Sequence, residues 1–328
     1  MIQFYGLVTR TEVMHMTRRD PSEWKSSVRR PDDFDEYWRQ TEADTMSVPL
    51  NPRLELDPMR STSEVEVFEA HYDSYAGLEI AGWYCRPRNI DGQLPGYLFV
   101  PGYVSEPKLP TDLAMMGYAA FSAAPRNKLR SNSVFNPGYP GLLVHNLDKR
   151  TEYGYRGFYM DAVRAFDFLS GLDEVDSSRI CVQGGSQGGA LALLVSALRA
   201  GQVACASAGA PYLCSMMDAA SLTRSYPYEE INDYLRLHPE REEVARNTLD
   251  LHDIHNFVDK IECPIIVNIG LMDDVCPPET GFAVFDQIGS DNKKLYTYED
   301  CAHDAGTGVG HDKVMHTFLA EHLNPVAL

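Results

Sequence analysis

RICVQGGSQGGALALLVSALRA, residues 179–200, carries a short apolar run into a helix-length one through Gly184-Gly185-Ser186-Gln187-Gly188-Gly189. The junction fits G-x-S-x-G. With Gly and Ser each near 7% of residues, roughly one chain of this length in ten holds that pattern by accident, so its place between a strand and a helix matters more than its letters. A serine presented there must occupy a strained backbone position at a sharp turn, and small neighbours let strand and helix close around it. The helix that starts behind Ser186 also aims its free N–H groups at negative charge developing beside the hydroxyl.

Outward from this junction the same alternation repeats. GYLFVPG (96–102), YAAFSAAP (118–125), ACASAGAP (204–211), CPIIVNIG (263–270) and KLYTYED (294–300) are short runs separated by helix-length stretches, the pattern of a parallel sheet buried on both faces. Helical periodicity is clearest in YRGFYMDAVRAFDFLSGL (155–172), ETGFAVFDQIG (279–289) and HDKVMHTFLAEHL (311–323). Upstream, EVEVFEAHY (64–72) alternates as a half-buried strand, and LEIAGWYCRP (78–87) follows the turn-like SYAG, giving an antiparallel hairpin at the sheet edge. In RRPDDFDEYWRQTEAD (29–44), Pro31 and two acids stand where a first helical turn wants them, and Phe34, Tyr37 and Trp38 share one face. The stretch from Tyr212 to Val258 is polar, helix-prone and long. The expected class is α/β: a mostly parallel central sheet flanked by helices, with residues 1–328 as one domain. An N-terminal helical and hairpin extension (1–60) and a lid-like helical insertion (211–258) embellish it. Phe4, Tyr5, Met14 and Met16 cover this domain's own flank or a neighbouring subunit.

A serine hydroxyl is a poor nucleophile unless a base takes its proton and a third group holds that base in the right tautomer. The chain order for this kind of turn is Ser, acid, His. CPIIVNIG ends at Leu271-Met272-Asp273-Asp274-Val275-Cys276-Pro277-Pro278, placing an acid at a strand's carboxyl end, where ligands meet an open α/β sheet. Asp273 leaves the strand first and is the choice for the acid, with Asp274 as a solvated neighbour or helix N-cap. The base then follows the last strand, at Cys301-Ala302-His303-Asp304, which selects His303. The other histidines fall on less suitable elements, and His252 and His255 lack the HExxH or acid pattern of a metal site. One oxyanion donor is the backbone N–H of Gln187, and the other comes from the loop after GYLFV. Pro101 has no N–H, so Gly102, Tyr103 and Val104 compete, and Tyr103 is chosen.

Composition narrows the class. Of 328 residues, 44% are apolar and 23% charged, ordinary for a globular protein. Asp plus Glu number 47 against 29 Lys plus Arg, a net charge of -18 that repels phosphate backbones, so no nucleic-acid partner is expected. No apolar segment approaches a membrane span and no signal layout opens the chain, so a cytoplasmic location without membrane attachment is expected. The seven cysteines, odd in number and without CxxC, read as buried reduced thiols.

With these residues in view, the chain resembles the acetyl xylan esterase and cephalosporin C deacetylase family of carbohydrate esterases (family 7). The resemblance runs from PDDFDEYW to the final His loop. It rests on YRGFYMDAVRAFDFL leading into VDSSRICVQGGSQGG, and on GLMDDVCPP around the acid. It implies the α/β-hydrolase fold, with Ser186, Asp273 and His303 on the family's triad and Tyr103 and Gln187 on its oxyanion amides. The family's Arg-Gly-Gln motif reads Arg126-Asn127-Lys128 here, its His-Glu pair reads His303-Asp304, and Val104-Ser105-Glu106 replace the glycines after the oxyanion tyrosine. The activity implied is a serine esterase that removes small acyl groups, acetyl foremost, from a sugar or similar alcohol, without cofactor or metal. A homo-oligomer, a hexamer in the family, is also implied. Rival readings are a carboxylesterase on non-sugar esters, an amidase or peptidase of the same fold, and a hydrolase-fold binding protein without catalysis.

Overall fold

A computed structural model describes residues 20–89, 92–103, 105–138 and 141–325. Phe4, Tyr5, Met14, Met16 and Val104 lie outside the described residues. The strands are β1 (Arg53–Leu56), β2 (Val65–Asp73), β3 (Glu79–Pro87), β4 (Leu94–Val100), β5 (Ala119–Ala124), β6 (Val175–Gly185), β7 (Cys205–Gly209), β8 (Ile265–Gly270) and β9 (Lys293–Tyr298). The α-helices are α1 (Phe34–Met46), α2 (Thr111–Met115), α3 (Gly154–Ser170), α4 (Gln187–Leu198), α5 (Met216–Leu222), α6 (Glu229–Leu237), α7 (Glu242–His252), α8 (Pro278–Gln287) and α9 (His311–Leu323).

All nine strands join one sheet in the order β1-β2-β3-β5-β4-β6-β7-β8-β9. From β5 through β9 the neighbours are parallel, while β1, β2, β3 and β5 pair antiparallel. This is the expected α/β arrangement with a mostly parallel sheet. One detail differs: the β2–β3 hairpin is not the edge, because β1 pairs along β2 and takes that place. Four residues with three exposed side chains give β1 no apolar alternation to read.

Helix α4 is apolar on every side, so it must be enclosed. It packs against β6 and β7, and all its residues but Leu198 are buried. Helix α1 begins at Phe34, one turn later than the sequence implies. Pro31, Asp32 and Asp33 form the approach, and Asp35 and Glu36 are the acids of the first turn. Its apolar face is the expected one. Trp38 is 1% exposed, donates its indole N–H to Leu251 O at 2.9 Å, and meets Phe257 and His252 edge to face. His252 thereby sits in an aromatic cage, its Nδ1 2.8 Å from Thr248 O. Burial pushes its pKa down to about 3, so it is a neutral core residue rather than a titrating one. Among the described residues no helix is long and apolar enough to cross a membrane.

Beneath the loop after β5, Asp161 on α3 is fully buried and accepts from the Arg126 backbone N–H (2.9 Å), Nε (2.7 Å) and Nη2 (2.9 Å). Arg126 Nη2 also donates to Tyr75 O at 2.9 Å. Removing one partner of such a pair strands a buried charge, whereas the exposed Arg39–Glu36 pair is screened by water. Asp161→Asn should therefore lower the denaturation free energy by about 3–5 kcal/mol, whereas Glu36→Gln should leave the urea midpoint nearly unmoved.

Candidate active site

The parallel register brings several strand ends to one edge. Val100 pairs with Gly184, Gly185 with Gly209, and Gly209 with Asn268, so the loops leaving β4, β6, β7 and β8 emerge together. Ser186 stands at the first residue past β6 with φ 58 and ψ -121, a conformation costly for a residue with a Cβ. Its backbone is held on all sides. Its N–H donates to Gly209 O at 2.8 Å, and its carbonyl accepts from Ala190 and Tyr212, each at 3.1 Å. The glycines around it are required by approach distance: a Cβ on Gly188 would lie 2.2 Å from Val100 O, and one on Gly184 2.5 Å from the Gly188 backbone. Gly185, the variable position of the motif, has open room at 3.9 Å.

Asp273, 2% exposed, follows β8 as expected. Its Oδ1 accepts from the Val275 and Cys276 N–H groups at 2.8 and 2.9 Å, and its Oδ2 lies 2.8 Å from His303 Nδ1. Two amides and one imidazole thus fix the carboxylate's orientation, leaving the ring's Nε2 for the cavity side. Asp274 is exposed and bonds Ser225 Oγ at 3.3 Å. It does not cap α8, whose N-cap position is Pro277, because Asp274 stands too far before that helix. The His303 loop is seated on β8: Asn268 donates to Ala305 O at 2.7 Å, and Met272 N–H to Cys301 O at 3.0 Å.

Ser186 and His303 line one cavity of about 650 Å³, together with Gly102, Tyr103, Val275 and Glu230. Among the described residues no hydrogen bond joins Ser186 Oγ to the His303 ring. Burial raises the pKa of the Cys276 thiol, and the Ser186 hydroxyl offsets part of that rise. Gln187 is the first residue of α4, where a backbone N–H has no intrahelical acceptor. Tyr103 borders the cavity too, its phenol donating to Glu230 Oε1 at 2.8 Å and accepting from Leu142 N–H at 3.0 Å.

Glu230 and Cys276 are site residues that sequence reasoning missed. Glu230 lies at the start of α6, where acids are ordinary first-turn residues, and no pattern marks it as facing a pocket. Burial raises its carboxyl to about 7, against the lowering effect of the Tyr103 bond. Cys276 read as one more buried thiol, and all the cysteines are free, with only Cys301 less than buried. Asp273, Cys276 and His303 offer ligand atoms within 4.8 Å of one another. Both carboxylate oxygens of Asp273 are already engaged by amides and imidazole, so a metal there would have to break that orientation.

The comparisons with known proteins agree with this architecture. The profile of the family described as acetyl xylan esterase (AXE1) matches residues 12–322. Acetyl esterase Axe7A of Xylanibacter ruminicola is 28% identical over 290 residues, which make up 84% of this chain and 64% of that protein. The chain thus spans slightly under two thirds of that relative's length. Among solved structures, the acetyl xylan esterase from Paenibacillus sp. R4 superposes with a TM-score of 0.86 at 30% identity, covering 92% of this chain and 98% of that one. Acetyl xylan esterase 1 from Thermoanaerobacterium sp. JW/SL YS485 gives 0.84 at 27% identity, covering 91% and 96%. With a profile matched across nearly the whole sequence and the sheet and helices of these structures reproduced, the chain belongs to the acetyl xylan esterase (AXE1) family of α/β-hydrolase proteins.

Proposed function

We propose that this protein is a serine esterase that hydrolyses small acyl esters, acetyl foremost, of sugars or similar alcohols. The observation that carries the reading is the Asp273–His303 hydrogen bond at the edge of the cavity that also holds Ser186 on its strained turn. In this mechanism Ser186 Oγ attacks the ester carbonyl carbon while His303 Nε2 takes its proton. The bond between them is one that forms as substrate docks, since such contacts are often long in an empty site. Asp273 holds the ring's tautomer and stabilises the imidazolium. Backbone N–H groups of Tyr103 and Gln187 receive the oxyanion. His303 then protonates the leaving alcohol, and water, deprotonated by the same ring, releases the acid and frees Ser186.

The helical segment 211–258 contributes Tyr226, Pro227 and Glu230 to the cavity, so in this proposal it forms the wall that meets the alcohol part. Family membership supports the acetyl ester as the substrate class, and it carries the homo-oligomer into the proposal, to be read by light scattering. A second reading, a carboxylesterase of broader acyl range, draws on the apolar Phe99, Pro227 and Val275 around Ser186.

A nitrophenyl ester series from acetyl to octanoyl separates the two. A steep preference for acetyl supports the first reading, and a preference for longer chains supports the second. Ser186→Ala is expected to lower kcat by up to about a million-fold, and activity that survives in it would remove Ser186 as nucleophile. Asp273→Asn should cost about ten-thousand-fold in kcat, from the wrong imidazole tautomer. Asp274→Asn should change little, and a reversed ranking of the two would reassign the acid.

A further inference from the structure

Lys128 is the last residue of the sequence that stands in place of the family's Arg-Gly-Gln motif. Its side chain is buried, with the residue 2% exposed. Nζ donates to Gly102 O at 2.5 Å and to Tyr103 O at 2.6 Å. An ammonium is costly to bury unless acceptors meet its protons, and these acceptors are two successive carbonyls of the loop beside the nucleophile. That loop is close to the elbow: a Cβ built on Gly102 would lie 3.6 Å from Gly185 O and 3.9 Å from Ser186 Cβ. A trans peptide is planar, with its C=O and N–H pointing opposite ways. Drawing the Gly102 oxygen toward Lys128 therefore turns the Tyr103 N–H to the other side. Among the described residues, this N–H makes no hydrogen bond.

We propose that Lys128 is the positioning residue of the oxyanion loop, its charge holding the Gly102 and Tyr103 carbonyls so that the Tyr103 N–H is aimed at the oxyanion. The proposal rests on the esterase reading of Ser186. Lys128 touches no reacting atom and acts through one peptide plane, so its effect falls on the transition state and on kcat rather than on KM.

Burial lowers the Lys128 ammonium to about 8, and the Glu106 carboxylate pulls it back up. Below that value the amine is charged. Above it, the neutral amine holds the carbonyls with roughly half the strength of a charge-assisted bond. The other charged groups nearby have partners of their own: Arg126 pairs with Asp161, Arg130 with Glu69, and Glu230 with the Tyr103 phenol. Glu230 titrates near 7, so its contribution is separated by varying Glu106, the carboxylate that acts on Lys128.

The test is kcat and KM for nitrophenyl acetate between about pH 6 and 10, in the natural chain, Lys128→Met and Glu106→Gln, with Ser186→Ala as the blank and thermal melts as the check on folding. Lys128→Met should lose about 100-fold in kcat at neutral pH, keep KM within about twofold, and lack the alkaline fall. Glu106→Gln should move that fall to lower pH. A folded Lys128→Met with unchanged kcat, or the same alkaline fall in all three proteins, would overturn the proposal. Should Lys128→Met not fold, Glu106→Gln decides alone, and an unmoved fall is then the negative result. Failure of the underlying esterase reading is distinguishable, since it would show as activity remaining in Ser186→Ala.

Discussion

A serine held at φ 58 and ψ -121 between β6 and α4 is the constraint to which the neighbouring structure conforms. Such a backbone conformation persists only where its surroundings over-determine it. Here the Gly209 carbonyl, the Ala190 and Tyr212 amides, and the contact of Gly188 with Val100 do so together. The close approach needs glycine, the parallel register needs strand ends in line, and that alignment is what brings the Asp273 and His303 loops to the same edge. The bond from Asn268 to the His303 loop continues the same logic one strand further on.

A second theme is where the cations go. The chain carries a net charge of -18, yet Arg126, Lys128, Arg164 and Arg199 are all buried. Each is set against carbonyls or carboxylates from distant parts of the sequence. Arg199 spans Asp167 on α3 and Glu42 on α1, and Arg164 donates to Val48 O at 2.8 Å, so the N-terminal helix is tied to the body by charge as well as by Trp38. A guanidinium with its fork filled is well suited to this, because its donors are rigid and planar. Lys128, with its compact charge, instead gathers two adjacent carbonyls, those of Gly102 and Tyr103, at a point.

The fold and the order of Ser186, Asp273 and His303 were legible because they rest on local signals: alternation, run length, and short motifs at strand ends. Trp38 and its face were legible for the same reason. The strand β1 was not, since Arg53, Glu55 and Leu56 are exposed and leave no period to detect. Of the two roles offered for Asp274, solvated neighbour or cap, the structure gives the first: it is exposed, and Pro277 holds the N-cap position. Glu230 and Cys276 were illegible for a different reason. The place of Glu230 at the cavity and of Cys276 beside Asp273 and His303 depends on how the segment after β7 and the turn after Asp273 fold, which is a property of tertiary contacts and not of spacing.

The cavity is assembled from two sources with different origins in the chain. Ser186 and His303 follow the ends of sheet strands, whereas the wall bearing Tyr226, Pro227 and Glu230 arrives from the helical segment between β7 and β8. The Tyr103–Glu230 hydrogen bond is a stitch between them. On the esterase reading such a layout divides the labour of adaptation: mutations accumulating in the inter-strand helices reshape what is admitted while leaving the Asp273–His303 geometry intact, provided that this stitch and the ties from Tyr212 to Ser186 and from Ser225 to Asp274 are kept. Recombination that exchanges those helices between relatives would then transfer selectivity as a unit, with the Glu230 position as its natural seam.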